Sequence, residues 1–99
     1  MSVEMFYDDD ADLSIIQSRS VAVIGSFNDW KSRGYEMEPK QDGSQWRITL
    51  WLPAGRYEYA FLVDGIRIEA DPRAGLYQED GFGNQNSVLI VGNNHETAI

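Results

Sequence analysis

The 99-residue chain contains no cysteine and one histidine, His95. Without thiols neither a disulfide framework nor a thiolate metal site can form. A nucleophilic triad would have to recruit His95, which stands in the polar stretch 92–99 and reads as a solvated residue, not a base. Basic residues are scarce, 8 against 16 acidic ones, for a formal charge of −8. Nucleic acid and anionic membrane surfaces reward Lys and Arg, so neither is an expected partner, while a neutral ligand is indifferent to that charge. No apolar run reaches the ~20 residues of a membrane span, and residues 1–10 lack a basic stretch leading into an apolar one. The expectation is a cytoplasmic chain. Gly-Lys-Ser/Thr is absent, and so is a glycine-rich strand-to-helix turn, which leaves no phosphate loop and no expected cofactor.

Acidic residues are plentiful but do not form a recognisable centre. Asp8, Asp10 and Asp12 have the opening spacing of a calcium loop. The sixth and twelfth positions, however, hold Leu13 and Arg19 where such a loop needs Gly and Glu, so the run reads as a solvated acidic break and no metal is expected. Glycoside hydrolysis requires two carboxylates about 5–9.5 Å apart across a cleft. The acids here sit mostly at turns, where Asp bonds its own backbone. No catalytic residue is assigned, and the expectation is a protein that is not an enzyme.

What the chain does have is period-two patterning. Its 42% hydrophobic content suits one folded domain. Val3 to Tyr7 can form a strand, and Leu13 to Ile16 a strand or a helical turn. Val21-Ala22-Val23-Ile24 reads as a buried strand closed by Gly25, followed by a loop, 26–34, that is polar apart from Phe27 and Trp30. A short strand at Tyr35 to Glu38 precedes a hairpin signal at Asp42-Gly43. Trp46, Ile48, Leu50 and Leu52 then alternate with Arg47, Thr49 and Trp51. Past the Pro53-Ala54-Gly55 turn, Tyr57, Tyr59, Phe61 and Val63 face inward opposite Glu58, Ala60 and Leu62. Asp64-Gly65 turns into 66–69, Asp71-Pro72 opens a loop over 73–86, and Ser87 to Val91 closes the fold. Six or so short strands with regular turn signals and no helix of ten residues predict an all-β antiparallel sandwich. The expected division is an N-terminal segment, 1–20, able to contribute one strand, the sandwich over 21–91, and a polar tail, 92–99.

Most aromatic side chains fall on inward positions and read as core. Trp30 is out of phase with every strand. Exposing a Trp ring is costly, and such a ring can stack on the apolar face of a pyranose or plug its own loop; its position alone favours neither. Trp51 lies on the outward face, with partial burial under a neighbouring loop or the N-terminal segment expected.

Several of these segments, in order, resemble one family. They are the run Val21 to Trp30 with its Phe27-Asn28-Asp29-Trp30 ending, the run Leu50 to Gly65, Asp71-Pro72, and Gly83-Asn84-Gln85-Asn86-Ser87. Together they are similar to family 48 of the carbohydrate-binding modules, which includes the glycogen-binding domain of AMP-activated kinase β-subunits and the N-terminal domain of isoamylases and branching enzymes. The resemblance spans about residues 21–91 and implies an immunoglobulin-like sandwich of the early-set type. It also implies stacking of glucose on Trp30, hydroxyl bonding by Asn86, a sugar contact from Phe82 and a polar contact from Asn84. Two members of that pattern are replaced: its lysine by Ala60, and its second platform tryptophan by Arg67, in a segment one residue longer than usual. Arg67 is expected at the margin of the site.

The implied partner is an α-1,4-glucan such as glycogen, starch or a maltooligosaccharide, with a separate enzyme or kinase subunit as a further partner. The alternative is a regulatory or structural interaction domain of the same fold that has lost sugar binding. Trp30 and Asn86 favour the first, Ala60 and Arg67 the second.

Overall fold

The computed structural model describes residues 1–8, 20–31, 35–41 and 44–92. The segment Leu13 to Ile16, the residues Asp10 and Asp12, the Asp42-Gly43 turn and the tail with His95 lie outside the described residues. Among the described residues eight strands follow in order: β1 (Ser2–Asp8), β2 (Val21–Gly25), β3 (Glu38–Pro39), β4 (Gln45–Trp51), β5 (Gly55–Val63), β6 (Arg67–Glu69), β7 (Leu76–Glu79) and β8 (Gln85–Val91). Among the described residues there is no helix. The strands pair in antiparallel fashion into two sheets, one ordered β1-β4-β3 and the other β2-β5-β8-β7 with β6 on β5. The fold is an all-β sandwich.

Alternation along each strand builds the core. Met5, Tyr7, Trp46 and Leu50 face inward from the three-stranded sheet, and Val21, Val23, Tyr59, Phe61, Val63 and Val91 face them from the other. The Tyr7 and Phe61 rings meet edge to face across the two layers at 5.4 Å. Ile48 and Tyr57, expected inward, pack at the margin of this core and remain half-buried. Trp51 departs from expectation: it is paired with Ser2 on the outer face of the three-stranded sheet and is 71% exposed. β1 lies beside β4 in the sheet plane, so nothing from it folds over the Trp51 ring.

β5 positions everything on the second sheet. One of its edges is taken by β2 along residues 59–63. The other is divided, β8 pairing with residues 55–59 and β6 with 61–63. The start of β8 and the end of β6 therefore meet at a seam beside the middle of β5.

A buried polar node secures that seam from the inside. Asp71 is 5% exposed, accepts a hydrogen bond from the Tyr59 hydroxyl at 2.5 Å and from the Arg73 amide at 2.9 Å, and donates its own N–H to Ser87 Oγ at 2.8 Å. The Tyr77 hydroxyl donates to the Asp71 carbonyl at 2.6 Å. Burial first, and then the Asp71 carboxylate, push the Tyr59 phenol well above its ordinary pKa, which keeps it a donor. One residue, through its carboxylate and its backbone, thus ties β5 and β8 to the chain entering β7. Tyr59→Phe should lower stability by about 1–3 kcal/mol, because a buried carboxylate oxygen loses its partner. In urea unfolding the midpoint should fall with little change in slope.

Candidate functional site

The turn after β2 is built by Asn28. Its Oδ1 accepts from the Gly25 amide at 2.8 Å, and its Nδ2 donates to the Val23 carbonyl at 3.0 Å and the Lys31 carbonyl at 2.6 Å. Phe27 turns inward against Tyr35 and Tyr57, with centroids at 5.5 and 6.1 Å. Gly25 allows this, since a Cβ there would lie 2.5 Å from the Glu58 carbonyl and 2.8 Å from the Phe27 ring. Asp29 and Trp30 follow with φ of 56° and 60°, a left-handed pair that is costly for a bulky side chain. The Trp30 amide donates to the Gly25 carbonyl at 2.9 Å, and the residue stays 40% exposed. The tryptophan is presented by its turn and does not plug it.

A second loop approaches from the start of β8. Asp80 Oδ1 accepts from the amides of Phe82 at 2.7 Å and Asn84 at 3.1 Å, while Gly81 and Gly83 supply the positive φ values of 86° and 93° that close the turn. Between these loops, at the seam of β6 and β8, lies a concave surface of about 600 Å³. It is lined by Trp30, Ile68, Asp80, Asn84, Gln85 and Asn86, with Ile24, Ala70 and Gly83 completing it.

Three of the five residues expected at the site, Trp30, Asn84 and Asn86, line this surface although they are distant in sequence. Phe82 rides the same loop between the two glycines, 89% exposed and outside the lining. Arg67 is on the opposite face. It pairs with Val63 and Glu69 with Phe61, both inward residues, and it forms an ion pair with Glu69 at 3.2 Å. Glu69 in turn accepts from Tyr7 of the other sheet at 3.2 Å. The cause is the hairpin between β5 and β6. Asp64 and Gly65 have φ of 56° and 69°, and Ile66 is an additional residue before pairing resumes at Val63 and Arg67. One extra residue reverses which side chains face outward, so Ile68, opposite Leu62, takes the place expected of Arg67. Ile68 was missed in the sequence, although the surplus residue after Asp64-Gly65 was the signal for it.

Asn86 is held from below. Its Nδ2 donates to Glu58 Oε1 at 3.1 Å, and Arg56 Nη1 donates to Glu58 Oε2 at 3.1 Å. These bonds, Asn86 first, hold the Glu58 carboxyl below its ordinary pKa against an opposing contribution from burial. Ala60, opposite Ile24, is buried on the same face and offers only a methyl group where the resemblance has a lysine. Among the described residues no cluster of His, Cys, Asp and Glu could hold a metal ion, and no helix is long and apolar enough to cross a membrane.

Residues 16–97 match the family model described as the glycogen recognition site of AMP-activated protein kinase. The chain belongs to that family. Among solved structures, this sandwich is similar to part of a maltogenic amylase from S. marinus, with a TM-score of 0.69 and 16% identity over 93% of this chain and 14% of that one, a likeness of fold. A different likeness is local. Fifty residues, half of the chain, are 88% identical to the NADP(+) ketol-acid reductoisomerases of Mycolicibacterium smegmatis (strain ATCC 700084 / mc(2)155) and Nocardia farcinica (strain IFM 10152). The chain spans 14% of the length of each. A dinucleotide site of the doubly wound type needs a glycine-rich turn opening a helix. Among the described residues there is no helix for such a turn to open.

Two outcomes test this geometry. Asn28→Ala should cost about 1–3 kcal/mol and shift Trp30 emission, since it removes three bonds to backbone groups. Asn86→Ala should raise the Glu58 pKa towards the ordinary carboxylate value, followed by carboxyl NMR. A depressed folded-state pKa contributes stability that is lost as pH falls through it, so the acid sensitivity arising from Glu58 should shrink in that variant.

Proposed function

We propose that the chain binds α-1,4-glucan, as glycogen, starch or maltooligosaccharide, on the concave surface between the Trp30 turn and the loop 80–84, without transforming it. The observation that carries this reading is convergence: an exposed indole, an exposed isoleucine and two asparagine amides from separate segments share one surface. Its volume lies in the usual range of ligand sites, about 300–1,000 Å³. Sugar hydroxyls already bond water well, so each protein–sugar hydrogen bond gains only about 0.5–1.5 kcal/mol and apolar contact supplies much of the rest. Trp30 provides a platform, Ile68 adds apolar area, and Asn84 and Asn86 bond hydroxyls at the edge, with Phe82 closing over the ligand from the rim. The strained backbone at Asp29 and Trp30 fits a ring held out for a purpose. Asp80 is bonded to its own loop amides, and among the described residues it is the one carboxylate lining this surface. The description of the family and the fold shared with part of an amylase support a module that works beside a separate enzyme or kinase subunit.

Two observations favour the alternative, a regulatory or structural domain that has lost sugar binding: Arg67 is turned away from the surface, and Ala60 offers it only a methyl group. The two readings separate in a co-sedimentation assay with glycogen or amylose. The expected affinity is near millimolar, about −4 kcal/mol. Trp30→Ala should abolish measurable binding, Ile68→Ala should weaken it several-fold, by roughly 1 kcal/mol, and no reducing ends should appear on prolonged incubation. A chain that fails to co-sediment with either polymer supports the alternative.

A further inference from the structure

The Asn86 side chain cannot present either of its faces at will. Its Nδ2 donates to Glu58, and a carboxylate can only accept, so the orientation of the amide is forced by chemistry. The Glu58 carboxylate is itself shared between two donors, one on each oxygen: Arg56 on Oε2 and Asn86 on Oε1. Arg56 is steadied by a second bond, from Nη2 to Gln78 Oε1 at 3.2 Å. The Glu58 backbone is pinned as well, its amide donating to Ser26 Oγ at 3.2 Å and its carbonyl accepting from the Ser26 amide at 2.9 Å. The relay Gln78–Arg56–Glu58–Asn86 thus runs across β7, β5 and β8 and ends at the lining of the concave surface.

We propose that Glu58 is the positioning residue that fixes this site's hydrogen-bonding polarity: it turns the Asn86 carbonyl oxygen towards the ligand, so that the sugar hydroxyl met there must act as a donor. This inference rests on the glucan-binding reading of the surface and adds the direction of one of its bonds. Glu58 does not touch the ligand; it acts through Asn86. Glu58→Gln keeps size and shape but leaves one acceptor oxygen for two donors. The charged guanidinium of Arg56 takes that oxygen. The new amide NH₂ then faces Asn86, which must rotate to offer its own oxygen downward and its NH₂ to the ligand. The polarity of the site is reversed without removing a side chain.

The experiment uses methyl maltoside and a set of its mono-deoxyfluoro analogues, in which one hydroxyl at a time becomes an acceptor that cannot donate. Binding is followed by NMR, with the dispersed backbone spectrum reporting that each variant is folded. The native chain should bind the parent sugar and lose roughly tenfold with one analogue. Glu58→Gln should bind the parent roughly tenfold more weakly and no longer discriminate against that analogue. A merely structural role for Glu58 would weaken all analogues equally. Equal weakening, or Glu58→Gln behaving as the native chain while Trp30→Ala abolishes binding, overturns this inference alone. Absence of parent-sugar binding by the native chain overturns both this inference and the reading it rests on.

Discussion

The Asp71 carboxylate bonded to the Tyr59 hydroxyl is the constraint on which the concave face depends. Asp71 is buried where β5 divides its second edge between β6 and β8. Its partners belong to β5, to β8 and to β7. Without that node the segment between β6 and β7 would leave the sheet freely, and the start of β8 would lose the anchor at Ser87, the residue directly after Asn86. Burying a carboxylate is costly unless its lone pairs are occupied, and here two donors occupy them. The outer face inherits its geometry from this inner bond, since Asn86 and Ser87 are consecutive and point to opposite sides of β8.

The site is assembled from two turns of different construction that solve the same problem. In the first, Asn28 satisfies three backbone groups at once and so holds a left-handed Asp29-Trp30 pair in place. In the second, Asp80 accepts two amides and the glycines absorb the positive φ. Both carry an aromatic ring at or next to the tip, and both are fastened to β5, the first through Ser26 and Glu58, the second through Asn86 and Glu58. Glu58 stands where the two turns meet the sheet. Such a surface is shaped before a ligand arrives, which spares the ordering cost that a flexible loop would incur on binding.

Much of the fold was legible because period-two alternation is a local signal. Tyr59, Phe61 and Val63 face the core as their spacing predicts, and so does Trp46 across the layers. The Trp30 turn was legible as an anomaly, a large ring out of phase with every strand. What failed were assignments that depend on register or on long-range cover. The place of Arg67 followed from counting along a hairpin, and Ile66, one surplus residue, reversed the count. The exposure of Trp51 depends on what lies over a sheet, and no pattern within β4 encodes that. Asp71 read as the opening of a loop because Asp-Pro is a turn signal, whereas its burial is set by Tyr59 and Ser87, 12 and 16 residues away.

The three tryptophans report independently on whether the Trp30 face of this sandwich meets α-glucan, as proposed. Trp30 lines the concave surface, Trp46 is in the core, and Trp51 is exposed on the outer face of the opposite sheet. Titration with maltoheptaose, followed through the three indole N–H resonances, therefore separates a specific site from general stickiness. Glucan binding at the concave surface should give a saturable shift at Trp30, with Trp46 and the more exposed Trp51 unmoved. A shift at Trp51 with Trp30 stationary, or no shift at any of the three, would rule out binding at this face.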